Sequence, residues 1–279
     1  MVRIGLACAV MAFGSFAKAA EPLPVTIPGL HADGKALAGF LQAPSGRSGK
    51  SPAIVLMHGC GGAVSRSGRI RQRERAWMER LTQAGYAALL IDSFTPRGVV
   101  STCGRPTKGV SSLDDRPFDA YAALAWLRSR SDIDGSRIAL MGWSHGGESV
   151  LSAVSRANVA ALGGASGKFA LAIAFYPGCR RLLKTNYQFG MPLLMHIGQA
   201  DDWTPARYCE ALAKKAGASA ASLQFHMYAG AYHGFDQPRG VVRERRLPSG
   251  RVVHNGAHPQ ARDLAIRRTM EALAPPLAK

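Results

Sequence analysis

Acidic residues are scarce in this chain of 279 residues: 18 Asp and Glu face 35 Lys and Arg, for a formal charge of +17 and a pI near 10.3. That imbalance excludes an acidic, solvating protein and favours anionic partners, whether a carboxylated substrate, a lipid surface or a nucleic acid. Arginines cluster at 66–80 and 239–251, but no aromatic stacking motif or known nucleic-acid module accompanies them, so no nucleic-acid partner is expected. Beyond residue 20 no apolar run reaches the roughly 20 residues that a bilayer span needs, so no stable membrane insertion is expected. Linkers, repeats and low-complexity tracts are also missing, which leaves one domain as the default. No phosphate or dinucleotide loop of the required form occurs, so no cofactor is implied. For a metal, His254 and His258 are four apart and His58 follows an apolar run. Gly256 and Pro259 spoil a helix there, and no carboxylate or thiol completes a ligand spacing, so none is expected.

What is present is enough for a substantial core: 47% of residues are hydrophobic and only 19% charged. At the start, Arg3 precedes an apolar run at 4–17 and the small-x-small triplet Ala17-Lys18-Ala19. Residues 1–20 therefore read as a cleaved signal peptide, with an uncleaved anchor as the alternative, and the domain at 21–279 is expected to be exported, periplasmic or secreted. Cys8 leaves with the leader. Cys60, Cys103, Cys179 and Cys209 remain, an even number in a compartment that permits disulfides. Three pairings are open. Cys60 with Cys103 and Cys179 with Cys209 are favoured because each joins neighbouring loops at one sheet edge; four free thiols are the other reading.

Apolar runs bounded by Gly, Pro and Asp alternate with segments of helical period, which predicts βα units around a mostly parallel sheet. Strands are expected at 53–57, 86–91, 137–141, 169–175, 192–197 and 222–228, with an antiparallel strand at 36–41. Continuous runs such as Ile54-Val55-Leu56-Met57 suit strands covered on both faces. Ile70, Trp77, Met78 and Leu81 share one helical face, and Phe118, Tyr121, Ala122, Ala125 and Trp126 repeat the pattern. Further helices are expected at 148–157, 206–216 and 262–273. The longest loops, 93–114 and 235–259, both follow strands and so belong at the carboxyl edge, where such sheets bind ligands.

Three loops at that edge carry the candidate chemistry. Gly142-Trp143-Ser144-His145-Gly146-Gly147 follows one strand and opens a helix, the arrangement of a nucleophile elbow that holds a serine oxygen over the sheet. The pentapeptide carries little by itself. A serine hydroxyl needs a base to take its proton and an acid to orient that base, in the later order acid then histidine. Asp201 and Asp202 follow the strand at 192–197, and His233 follows the strand at 222–228. His226 lies within that strand and reads as structural, and Asp236 follows His233 too closely to brace it easily. An oxyanion needs two N–H donors, one after the nucleophile and one from an early loop. His58-Gly59-Cys60-Gly61-Gly62 supplies that loop, and the expected donors are the N–H groups of Cys60 and His145.

With these residues in hand, the chain resembles the dienelactone hydrolase family of α/β-hydrolases from about residue 51 to the end. The likeness is carried by His58 to Gly62, Asp92-Ser93-Phe94-Thr95-Pro96-Arg97-Gly98, Gly142 to Gly147, Phe175-Tyr176-Pro177-Gly178-Cys179, Asp201-Asp202-Trp203-Thr204-Pro205 and Ala231-Tyr232-His233-Gly234-Phe235. It implies an α/β-hydrolase fold, a single domain with helices on both faces of the sheet. Relatives leave two residues between the acid and a Val-Pro or Thr-Pro pair, which selects Asp201. The enzyme that names the family uses a cysteine held by a carboxylate, whereas Ser144 stands here and no carboxylate flanks Cys60. The expected activity is hydrolysis of an ester, lactone or similar acyl bond in a small substrate, through an acyl-enzyme on Ser144 with Asp201 and His233. The same triad would serve acyl transfer or thioester and peptide cleavage; a non-catalytic binding protein on this scaffold is the reading from another class. The basic balance adds an expectation of anionic substrates, with Arg97, Arg105 or Arg180 as partners.

Overall fold

A computed structural model gives the structure for residues 21–31, 34–44, 49–104 and 109–277. The leader, with the signal-peptide reading, and Arg105 lie outside these described residues. The chain runs β1 (Leu23–Ile27), β2 (Leu37–Gln42), β3 (Ser51–Met57), α1 (Gln72–Gln83), β4 (Ala87–Asp92), α2 (Arg116–Arg128), β5 (Ile133–Trp143), α3 (His145–Ala153), α4 (Arg156–Ser166), β6 (Ala172–Phe175), β7 (Leu193–Gly198), α5 (Ala206–Ala216), β8 (Leu223–Tyr228), β9 (Arg243–Arg246), β10 (Val252–Asn255) and α6 (Pro259–Leu277).

Eight strands form one sheet in the order β1-β2-β4-β3-β5-β6-β7-β8. Strands β3 to β8 pair in parallel, while β2 pairs antiparallel with both β1 and β4. Every residue of β3 and β4 is buried, as their unbroken apolar runs require when helices cover both faces. The two faces can be told apart on β5. A Cβ added to Gly142 would meet Gly146 and Val150 of α3, whereas the next residue, Trp143, points to the opposite face and packs on Trp77 of α1. On that second face Trp143, Phe175, His196 and His226 lie in register across four strands and form a row of ring contacts. His196 is anchored there by Tyr228 and by Thr269 of α6. His226 belongs to this row, away from the loops, as its strand position predicts.

All six expected βα strands form, with bounds that differ by at most four residues and with the expected last residue in β3, β6 and β8, and the expected strand at 36–41 is β2. The segment expected as one helix at 148–157 is instead the end of α3 and the start of α4. The break is local: Ser155 caps α4 by accepting from the Asn158 N–H. Ile70 stands outside α1 and pairs with Val64 in a short bridge. The loop expected at 235–259 contains the hairpin β9–β10. Its outer strand is wholly exposed, and its inner strand is tied down by the Asp202–His254 pair and by a bridge between Asn255 and His233.

Both favoured disulfides are present. Cys60 joins Cys103, and Cys179 joins Cys209. No described helix is long and apolar enough to cross a membrane.

Candidate active site

The carboxyl ends of β5, β7 and β8 carry Ser144, Asp201 and His233, separated by up to 89 positions in sequence. Ser144 sits at φ 53°, a conformation that non-glycine residues rarely adopt, and the turn around it leaves no room for neighbouring side chains. A Cβ at Gly146 would lie 2.0 Å from the Met57 carbonyl oxygen, and one at Gly142 would lie 2.5 Å from that of Gly146. Glycine at these positions is therefore a packing requirement, which gives the elbow motif its physical content.

His233 connects the other two residues. Its Nε2 lies 2.9 Å from Ser144 Oγ and its Nδ1 lies 2.8 Å from Asp201 Oδ2. Asp201 is thoroughly braced: Oδ1 accepts from the N–H groups of Trp203 (2.9 Å) and Thr204 (2.7 Å), and Oδ2 also accepts from the Thr204 hydroxyl (2.9 Å). Asp202, the rival acid, faces elsewhere and accepts from both the backbone and the ring of His254. The imidazole of His233 is held between the rings of Tyr176 (4.6 Å) and Trp203 (4.8 Å). Three residues further on, buried Asp236 accepts from Trp77 Nε1 (2.9 Å), Trp143 Nε1 (2.8 Å) and the Tyr176 hydroxyl (2.5 Å). Asp236 thus braces the histidine loop against the core without touching the imidazole.

Tyr176 also accepts from Arg73, which is paired with buried Glu74. Burial and the neighbouring carboxylates of Asp236 and Glu74 hold the phenol well above its ordinary pKa, although Arg73 opposes them. Burial works to lower the pKa of Arg73, but Glu74, Tyr176 and Asp236 outweigh it and keep the guanidinium charged. Tyr176, Trp203, Thr204 and Asp236 thus serve the site although sequence reasoning gave none of them a part in it. Trp203 and Thr204 could have been found from the motif Asp201 to Pro205; Asp236 was seen and set aside.

On the opposite side of Ser144 lies the loop 58–62. A Cβ at Gly59 would come within 3.8 Å of Ser144 Cβ, and Cys60, Ser144 and His145 line one lobe of the cleft, of about 520 Å³. The Cys60 carbonyl accepts from Thr102 N–H (2.9 Å) and Ser101 Oγ (3.1 Å), and Arg71 donates to the carbonyls of Gly61 and Gly62. These contacts and the bridge to Cys103 fix the loop from its outer side.

The cleft is rimmed by arginines. An adjoining lobe of about 550 Å³ is lined by Arg180, Arg207, Arg251, Trp203 and Tyr208, and a third, of about 300 Å³, reaches Arg71, Arg73 and Arg245. Arg180, Arg207 and Arg251 pair with no carboxylate among the described residues; Arg180 and Arg207 lie over the Tyr208 ring and Arg251 donates to the Trp203 carbonyl. Arg97, expected to face substrate, is instead committed to Asp119 by a two-pronged contact at 2.8 and 3.0 Å, an arrangement its charge alone could not reveal. Of the histidines weighed for a metal, His254 pairs with Asp202, His258 accepts from Ala261 N–H at the start of α6, and His58 is buried beneath the loop 58–62.

Comparison with known proteins places this geometry. A probable 2-oxo-3-(5-oxofuran-2-ylidene)propanoate lactonase of Bradyrhizobium sp. is 24% identical over 204 residues, covering 68% of this chain and 75% of that protein. The quorum-quenching protein AidA of Acinetobacter baumannii is 33% identical over 108 residues, and only 32% of its length is covered. Among solved structures, the dienelactone hydrolase-like promiscuous phosphotriesterase P91 from metagenomic libraries superposes with a TM-score of 0.62 at 16% identity, over 91% of this chain and 98% of that one. A thermophilic esterase of Thermogutta terrifontis does so with a TM-score of 0.61 at 17% identity, over 91% and 96%. At such identities the superpositions speak for the fold. The family model for dienelactone hydrolases matches residues 37–276, nearly the whole domain, and so the chain belongs to the dienelactone hydrolase family of ester-cleaving enzymes.

Proposed function

We propose that this protein is an exported serine hydrolase that opens an ester or lactone bond in a small, anionic substrate. The observation that carries the mechanism is the unbroken hydrogen-bonded line from Ser144 through His233 to Asp201, at the wall of a cleft large enough for a small molecule. Ser144 Oγ attacks the carbonyl carbon as its proton passes to His233 Nε2, and Asp201 holds the imidazole and balances its charge. The developing oxyanion is received by the N–H groups of Cys60 and His145. His233 then returns its proton to the departing alkoxide, and a water activated by the same ring releases the acid and restores Ser144.

The anionic preference is supported by three arginines without carboxylate partners at the rim, since a guanidinium pair there compensates a substrate carboxylate. The lactone of the Bradyrhizobium relative, a propanoate, carries such a group. Export is supported by the two disulfides, which an oxidising compartment maintains.

Turnover of a short ester bearing a free carboxylate, and of its methylated form, is to be measured for the wild type and Ser144→Ala. We expect loss of activity by about 10⁴-fold or more in the variant. The wild type should prefer the free acid at low salt, with the preference shrinking as salt rises. Equal rates for the two proteins would refute the nucleophile assignment, and indifference to charge and salt would refute the substrate class.

A further inference from the structure

The two N–H donors assigned to the oxyanion are backbone groups, so something else must aim them. In a trans peptide the C=O and N–H of one unit point in opposite directions, and no cis peptide occurs among the described residues. The Gly59–Cys60 unit is therefore oriented by whatever holds the Gly59 carbonyl. That carbonyl accepts from His58 Nδ1 at 2.7 Å and, at the longer distance of 3.2 Å, from the Gly62 N–H of its own turn. The tautomer is fixed from behind, because His58 Nε2 accepts from the Ser93 N–H at 3.3 Å and so leaves its proton on Nδ1. Burial first, and Arg116 second, hold this imidazole well below its ordinary pKa, so it stays neutral.

The second donor belongs to His145, the first residue of α3. Its ring Nδ1 lies 2.9 Å from Arg116 Nη1, and because a guanidinium can only donate, Nδ1 accepts and this ring too is neutral. The same Nη1 donates to the His58 carbonyl at 2.9 Å, and Arg116 Nε donates to Ser93 Oγ at 3.2 Å. One nitrogen thus contacts both residues that govern the donor pair, and a second nitrogen holds the residue that sets the His58 tautomer.

We infer that Arg116 is a positioning residue for the oxyanion hole, a buried cation that locks the loop 58–60 and the start of α3 into one unit. Stability alone does not account for it. Arg116 is 0% exposed, and among the described residues its Nη2 has no hydrogen-bond partner and no carboxylate pairs with it, since Asp119 is taken by Arg97. A buried guanidinium in that condition, with the Phe94 ring and the charges of Asp119 and Asp92 as partial compensation, still carries a desolvation cost that an apolar side chain of similar volume would avoid. Burial accordingly lowers its pKa to about 10, although Asp119 opposes the shift. The inference rests on the reading that Cys60 and His145 receive the oxyanion.

The experiment compares wild type, R116K and R116A on one ester, with His233→Ala as a parallel control. A lysine keeps the charge, but its single Nζ cannot reproduce the three contacts. For R116K we expect kcat to fall on the order of 10- to 100-fold with KM within about threefold. The affinity for a trifluoromethyl ketone, whose adduct with Ser144 bears the oxyanion, should fall in step with kcat/KM, and added guanidinium should restore part of the lost rate in R116A. The proposal is overturned if R116K keeps kcat within about twofold, if the loss appears in KM alone, or if neither variant yields folded protein. Activity surviving in His233→Ala would instead bring down the triad itself, whatever Arg116 does.

Discussion

The two sides of the cleft are held in different ways. On the acid–base side the working groups are side chains, and each is fixed several times over: Asp201 by three donors besides His233, and the His233 ring by Tyr176 and Trp203, with its loop pinned through Asp236. On the proposed oxyanion side the groups are backbone amides, aimed at one remove by two neutral imidazoles, one buried cation and the Cys60–Cys103 bridge. The difference teaches where each side is vulnerable. Deleting one brace on the first side leaves others on the same group, whereas on the second side the loop has several ties of its own and Arg116 is the side chain that joins it to the start of α3.

The largest expected effect strikes the acid–base side at its one irreplaceable member. Asp201→Asn keeps the shape but disfavours the histidine tautomer that serves Ser144, and should lower kcat by about 10⁴-fold. Steady-state kinetics would show it; a loss below about tenfold would mean that Asp201 is not the acid. Next, the disulfides offer a matched pair, with sequence separations of 43 and 30. Replacing either pair by serines should cost about 3 kcal/mol in urea denaturation. Only the Cys60/Cys103 variant should also lose about tenfold or more in kcat, because only that bridge holds a residue proposed to bind the oxyanion. Equal kcat in the two variants would erase the contrast.

The smallest effect, taken ring by ring, is a pH dependence of stability. Burial first and Arg116 second depress the folded pKa values of His58 and His145, the latter to about 2, and burial does the same to His196. Above the unfolded value of about 6.5 both folded and unfolded chains are neutral at these rings, and their contribution to stability is complete. As pH falls below it, the unfolded chain takes up protons that the fold refuses. Stability is then lost at up to about 1.4 kcal/mol per pH unit for each ring. Urea denaturation from pH 7 to 5 should show this slope, and His145→Asn should reduce it by about one proton. An unchanged slope in that variant would mean that His145 is charged in the fold.

Much of this architecture can be read in the chain before it folds. The buried parallel strands announce themselves because coverage on both faces demands unbroken apolar runs, and the loops that follow them carry the elbow glycines, Asp201 and His233. Strand β1 alternates Leu23, Val25 and Ile27 but is only five residues long, carries Pro24 and sits little buried at the sheet edge, while β9 is Arg-Glu-Arg-Arg with no apolar face, so neither gives a strong strand signal. The division of labour among arginines is hidden for a different reason. Charge is a property of the residue, but pairing is a property of the fold: Arg97 is spent on Asp119, Arg180 is left at the rim, and Arg116 is buried beneath the elbow. Asp236 was set aside for its closeness to His233, yet that closeness is what lets it pin the loop.

The hairpin at the mouth separates two kinds of evolutionary freedom within a ribbon two strands wide. Its inner strand is bound to the acid loop and to the histidine, so change there reaches the catalytic floor. Its outer strand touches solvent along its whole length, with Arg245 alone leaning onto Trp203. Mutational drift in Arg243–Arg246 can therefore alter which molecules are drawn to the entrance while the chemistry below is conserved, and a designer seeking new selectivity would begin there.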